Sequence, residues 1–85
     1  MKLQAMAVYD EKASLFGHPF FSVTVGQGVR VFTDYVRDPQ SSIHKHPEDF
    51  KLYCIGQYDD EAGELVAEMP PRFIVTAQEV ASRGN

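Results

Sequence analysis

Between Lys51 and Met69 the chain spells out a β-hairpin, and no other segment restricts the fold as strongly. KLYCIGQY over residues 51–58 alternates with the period of a strand, Leu52, Cys54, Gly56 and Tyr58 on one face and Lys51, Tyr53, Ile55 and Gln57 on the other. Asp59 to Gly63 supplies a turn, with Gly63 where a left-handed residue closes the loop. Glu64 to Met69 returns as the partner strand, with Leu65, Ala67 and Met69 facing one way. Because both faces of the pair carry large apolar groups, a covering layer is needed on each. A helix covers one face, and a second subunit is the candidate for the other. The chain has 85 residues and reads as a single domain over 1–85. A domain of this size buries only about 60–65% of its unfolded surface, which also favours a homodimer.

Before the hairpin, KLQAMAVY over residues 2–9 predicts a first strand, buried on both faces because Leu3, Ala5 and Ala7 alternate with Met6 and Val8. Residues 10–20 read as loop, broken at Gly17-His18-Pro19. The next stretch carries two periods. At period two, Phe21, Val23 and Val25 and then Val29, Val31, Thr33 and Tyr35 describe a hairpin around Gly26-Gln27-Gly28. At period 3.6, Val29, Phe32, Thr33 and Val36 share one helix face. Arg30, Asp34 and Arg37 then lie on the solvent side, with Arg30 and Asp34 spaced for an ion pair. Thr24 with Gln27 forms a capping box, and Asp38-Pro39 is a stop. The helix over 27–37 is the reading adopted.

Residues 38–50 form a polar connection with a helical turn after Pro47. Pro70-Pro71 interrupts the second hairpin strand, and Phe73-Ile74-Val75 adds a short one. Thr76 with Glu79 is a second capping box, and Val75 and Val80 form a hydrophobic staple, so a terminal helix starts at Ala77. The expected class is α+β: a small antiparallel sheet of three to four strands with one main helix and a short C-terminal helix.

The net charge of −4 is unevenly spread. Residues 59–68 hold Asp59, Asp60, Glu61, Glu64 and Glu68 and no base, which leaves seven acids against eight bases elsewhere. An acidic chain disfavours phosphate backbones, but a near-neutral body with one acidic tip weakens that objection. No apolar stretch approaches the ~20 residues of a membrane helix. MKLQAMAVYD lacks a signal peptide's apolar region, so a cytoplasmic product is expected.

Catalytic constellations are absent from the sequence, and no enzyme is expected. Cys54 is a lone thiol in mid-strand, where it serves as a small buried hydrophobe. There is no G-x-S-x-G elbow, and Gly26-Gln27-Gly28 lacks the rest of a dinucleotide or P-loop fingerprint. His44, His46, Glu48, Asp49 and His18 match no established ligand spacing. They read as a polar loop whose acids cap the turn after Pro47, so neither a metal nor a cofactor is expected. What remains is binding. Lys51 and Tyr53 share a strand face, with Arg72 and Phe73 nearby, and cations interleaved with rings on a sheet are the ingredients of single-strand recognition. The bland alternative is that Tyr53 and Ile55 are core or interface residues and the cations solubilise.

The opening MKLQAMAVYDEKASLFGHPF, the helix ending VRDP and the block KHPEDFKLYCIGQYDDEAGEL carry a resemblance that spans nearly the whole chain. Its most specific part is Lys45-His46-Pro47-Glu48-Asp49-Phe50, followed by Leu52-Tyr53 and Ile55-Gly56-x-Tyr58-Asp59. The chain resembles the small non-structural protein of gokushovirus-type microviruses, single-stranded DNA phages that include those of chlamydiae. It departs from that pattern at Val25-Gly26-Gln27-Gly28-Val29, where a more polar, alanine-rich helix start is expected. The resemblance implies action in the host cytoplasm, outside the finished capsid, with suggested DNA binding and a bias of replication towards single-strand synthesis and packaging. No catalytic residues carry over. Together these give the expectation of a dimeric, non-enzymatic accessory protein that contacts single-stranded DNA through Lys51, Tyr53, Arg72 and Phe73, with Arg30 and Arg37 as supporting phosphate contacts. The alternative is a protein-interaction module in which the acidic tip and the His44–Phe50 loop contact a phage replication or assembly protein, or a host factor.

Overall fold

The strands of the hairpin are the centre of a larger antiparallel sheet that carries its helices on one side. The computed structural model describes residues 1–83. In chain order the elements are β1 (Lys2–Asp10), β2 (Leu15–Phe16), β3 (Phe20–Ser22), α1 (Val25–Arg37), α2 (Ser42–Lys45), a 3-10 turn (Pro47–Asp49), β4 (Phe50–Asp59), β5 (Glu64–Thr76) and α3 (Ala77–Ser82). The sheet order is β2-β1-β4-β5, with β3 also pairing to β1. The α+β class, the main helix and the short terminal helix are as the sequence predicts.

The helical period wins over the strand period in residues 25–37 because the cap and the apolar stripe agree. Thr24 is extended and its Oγ1 accepts from the Gln27 N–H at 3.1 Å, so α1 starts at Val25, two residues earlier than expected. The Gln27 side chain reaches back one residue further than a capping box requires, its Oε1 accepting from the Val23 N–H at 3.1 Å. Phe32 and Val36 are buried, while Arg30, Asp34 and Arg37 are exposed. The glycine at 28 has a packing reason. A Cβ there would lie 2.9 Å from Met6 Cγ and 3.1 Å from Ser22 Oγ, so its absence lets the helix press onto the sheet. This is the segment where the chain departs from the alanine-rich pattern.

The core forms between the helices and one sheet face, from Met6, Leu52, Cys54 and Val75 against Phe32, Val36, Ala77 and Val80. β1 is buried on both faces at Ala5, Met6 and Ala7, as the alternation predicts. At α3, Thr76 Oγ1 accepts from the Glu79 N–H at 2.9 Å, and Val75 and Val80 are both buried. The tip closes with Gly63 at φ 67°, its N–H donating to the Asp59 carbonyl at 2.8 Å.

Three features differ from expectation. Residues 10–20 are not all loop: β2 folds back so that Phe16 pairs with Tyr9, and β3 pairs Phe21 with Ala5. Pro70-Pro71 does not divide the last strand. β5 continues from Glu64 to Thr76, and its register passes from Gly56–Ala67 to Cys54–Arg72, so residues 68–71 bulge opposite Ile55. Finally, β4 itself bulges at Ile55, because β1 pairs Met6 with Cys54 and then Ala5 with Gly56. That extra residue reverses the faces beyond it. Gln57 joins the helix-side face of Leu52 and Cys54, where its Nε2 donates to Gln4 Oε1 at 3.3 Å. Tyr58 moves to the other face and packs on Phe21, with ring centroids 5.7 Å apart.

Candidate nucleic-acid interface

The sheet face away from the helices gathers four aromatic rings from four strands. Phe16 pairs with Tyr9 across β2 and β1, Ala7 pairs with Tyr53, and Tyr53 pairs with Phe73, so the register brings Tyr9, Phe16, Tyr53 and Phe73 to one face. Centroid distances are 4.8 Å for Tyr9–Phe16, 5.4 Å for Phe16–Tyr53, 5.8 Å for Tyr53–Phe73 and 6.2 Å for Tyr9–Tyr53. All four contacts are edge-on or tilted, the geometry the ring quadrupoles prefer. Phe16 is 43% exposed and Phe73 49% exposed, so the cluster is anchored and still presents ring surface. A hollow of about 450 Å³ lies among Tyr9, Phe16, Tyr53, Pro70 and Pro71. The diproline bulge of β5 forms one wall of it.

Lys51 stands on this face, opposite Tyr9 in the ladder. Its Nζ donates to Glu11 Oε2 at 2.7 Å, and this bond raises the ammonium pKa above its ordinary value. Arg72 does not join it. The register sets Arg72 opposite Cys54, on the helix-side face, whereas Phe73 stands opposite Tyr53. The expectation that Lys51, Tyr53, Arg72 and Phe73 share one face is therefore corrected for Arg72. Its guanidinium holds Glu68, with Nε to Oε2 at 2.8 Å and Nη2 to Oε1 at 3.4 Å. Gln57 Nε2 also donates to Glu68 Oε1 at 3.1 Å, and these partners lower the carboxyl pKa, Arg72 first.

Arg30 and Arg37 lie exposed on α1, the helix that packs on the opposite sheet face. Among the described residues neither takes part in an ion pair, and the i,i+4 spacing of Arg30 and Asp34 yields none. The six candidate residues thus divide: Lys51, Tyr53 and Phe73 come together, while Arg72, Arg30 and Arg37 sit on the other side of the sheet. Tyr9 and Phe16 complete the cluster and were not among the candidates. Leu15-Phe16 offers only two strand residues, too few for a period to register.

The acidic tip is partly occupied. The Met1 ammonium donates to Asp60 Oδ1 at 2.8 Å and Glu61 Oε2 at 3.4 Å, while Asp59 Oδ1 accepts from the N–H groups of Glu61 and Ala62. On the loop before β4, His46, Glu48 and Asp49 offer ligand atoms that all lie within 4.8 Å of one another on a solvent-facing turn.

A family model described as Phage ORF5 protein matches residues 3–80. The chain belongs to the Phage ORF5 family. The matched span includes every ring of the aromatic cluster and both strands of the hairpin. Among curated proteins, Protein ORF5 of Chlamydia phage 1 is 35% identical over 63 residues, which cover 69% of this chain and 66% of that protein. The matched segment thus spans just under two thirds of its relative's length. No solved structure matches. The resemblance to a chlamydial-phage-type microvirus protein holds, and this ORF5 family member is a phage protein. No helix among its described residues is long and apolar enough to cross a membrane.

Proposed function

We propose that this ORF5-family protein is a non-enzymatic accessory factor that binds single-stranded DNA through the Tyr9, Phe16, Tyr53 and Phe73 face and aids genome replication or the turn to single-strand synthesis and packaging. The observation that carries this reading is the aromatic cluster itself. Four rings on a sheet face that no helix among the described residues covers, with a lysine at the margin, are what unstacked bases need, since every base has a π-face. Bases stack in the hollow beside Pro70-Pro71, and Lys51 takes a phosphate when it leaves Glu11. Membership of a phage family is consistent with such a role in the host cytoplasm.

The test is fluorescence anisotropy of a labelled single-stranded oligonucleotide titrated with protein at low salt. Binding is expected, with Tyr53→Ala and Phe73→Ala each losing affinity by about 1–3 kcal/mol, the worth of one stacked base. Circular dichroism checks that each variant stays folded. Absence of binding by the wild type at low salt overturns the reading and leaves the alternative of a protein-interaction module.

A further inference from the structure

β5 is an edge strand whose outer side pairs with nothing among the described residues. Its first half also exposes large apolar side chains: Leu65 is 65% exposed, Val66 50% and Met69 77%. The opposite edge of the sheet is broken into the two residues of β2 and the three of β3, whereas β5 pairs regularly with β4 from Glu64 to Ala67 and leaves that ladder only in the bulge of residues 68–71. An edge of that kind is a template for another strand.

We propose that the 64–69 edge of β5 pairs antiparallel with the same segment of a second copy of this chain, centred on Ala67, to make one sheet that runs through a homodimer. The backbone direction supports that centre. The Val66 carbonyl lies over Gly56, where a Cβ would meet it at 2.3 Å, so residue 66 turns its polar groups inward to β4. Leu65 and Ala67 alternate with it and turn theirs to the free edge. Around a two-fold axis at Ala67 the two copies exchange N–H···O bonds at that residue. Leu65 of one copy then stands opposite Met69 of the other, an apolar pair, and Glu68 stands opposite Val66. Centring the axis on Val66 instead sets Glu64 against Glu68, and like charges directly opposite one another disfavour it. Pro70 and Pro71 lack an N–H and end the ladder there. The pairing uses the edge and leaves the aromatic face open, so it stands independently of any DNA contact.

The register makes a sharp test without nucleic acid. Light scattering of the wild type is expected to give twice the 9.6 kDa chain mass. Ala67→Cys is expected to form an intermolecular disulfide on mild oxidation, because paired residues with Cα atoms about 5.5 Å apart fall within disulfide reach. Val66→Cys, offset from its own copy, is expected not to link. Both sites are exposed, so both variants keep the wild-type circular dichroism, and the native Cys54 is fully buried and does not compete. Leu65→Lys is expected to give a folded monomer. A wild type that stays at the chain mass, or equal linking of the two cysteine variants, overturns the proposal.

Discussion

Gly56 stands beside the β4 bulge, and the Val66 carbonyl closes over it. A methyl group there would come within 2.3 Å of that oxygen, a backbone atom that cannot swing aside. Gly56→Ala should therefore force the two strands apart at a cost on the order of 2 kcal/mol. In a chain this short that is about 8–16 °C in Tm, readable by thermal melting followed by circular dichroism. Glu68 makes a different kind of residue-level prediction. The Arg72 guanidinium and the Gln57 amide hold its carboxyl below the ordinary value of 4.5. The folded state thus releases this proton more readily than the unfolded one, and between the two pKa values the unfolded chain binds more protons. Stability from Glu68 is complete above 4.5 and is lost as pH falls through the lowered value. Comparing melts at about pH 6 and about pH 3 should show a smaller loss of Tm in Glu68→Gln than in the wild type.

At the scale of elements, caps decide what apolar periodicity leaves open. Residues 21–36 fit a hairpin and a helix about equally by pattern, and the Thr24 hydroxyl on the Gln27 N–H, with Asp38-Pro39 behind, selects the helix. Thr24→Ala should cost about 1 kcal/mol, and since Val25 to Arg37 carries Phe32 and Val36 into the core, the loss should appear in the global melt as about 4–8 °C. The same chemistry made α3 legible, through Thr76 and Glu79. Bulges leave no such trace. Ile55 continues the alternation of KLYCIGQY without a break, so the sequence alone puts Tyr58 with Leu52, and only the pairing of Ala5 with Gly56 reveals the reversal. The diproline misled for a related reason. Proline on a central strand would break pairing, but β5 is an edge strand and loops Pro70-Pro71 out in a bulge while pairing resumes at Arg72. Lys51, Tyr53 and Phe73 were accordingly legible as neighbours, Arg72 takes the other face because it directly precedes Phe73 in one strand, as alternation alone requires, and Tyr9 and Phe16 needed a fold-back too short to carry a period.

Across the whole molecule, the four-ring cluster and the arginines of α1 and β5 lie on opposite sides of the sheet. The sheet's open face holds the aromatic cluster and, among the strand residues described, Lys51 as its one base, while Arg30, Arg37 and Arg72 lie on the helix side. A single-stranded DNA ligand on the open face therefore gains mainly from stacking and little from displaced counterions. Its salt dependence should be shallow. With one phosphate neutralised by Lys51, the slope of log K against log salt should be about −0.7, against a several-fold steeper value for a protein that wraps the backbone. Glu11 competes for the same ammonium at 2.7 Å, so Glu11→Gln should tighten binding by a few-fold at low salt, and Lys51→Gln should flatten the slope towards zero while stacking persists. Arg30→Ala with Arg37→Ala should leave both affinity and slope unchanged. Anisotropy titrations at four or more salt concentrations on these three variants separate the possibilities. A steep slope that falls on removing the two helix arginines would put the strand of DNA across α1 instead, with the aromatic face left to another partner.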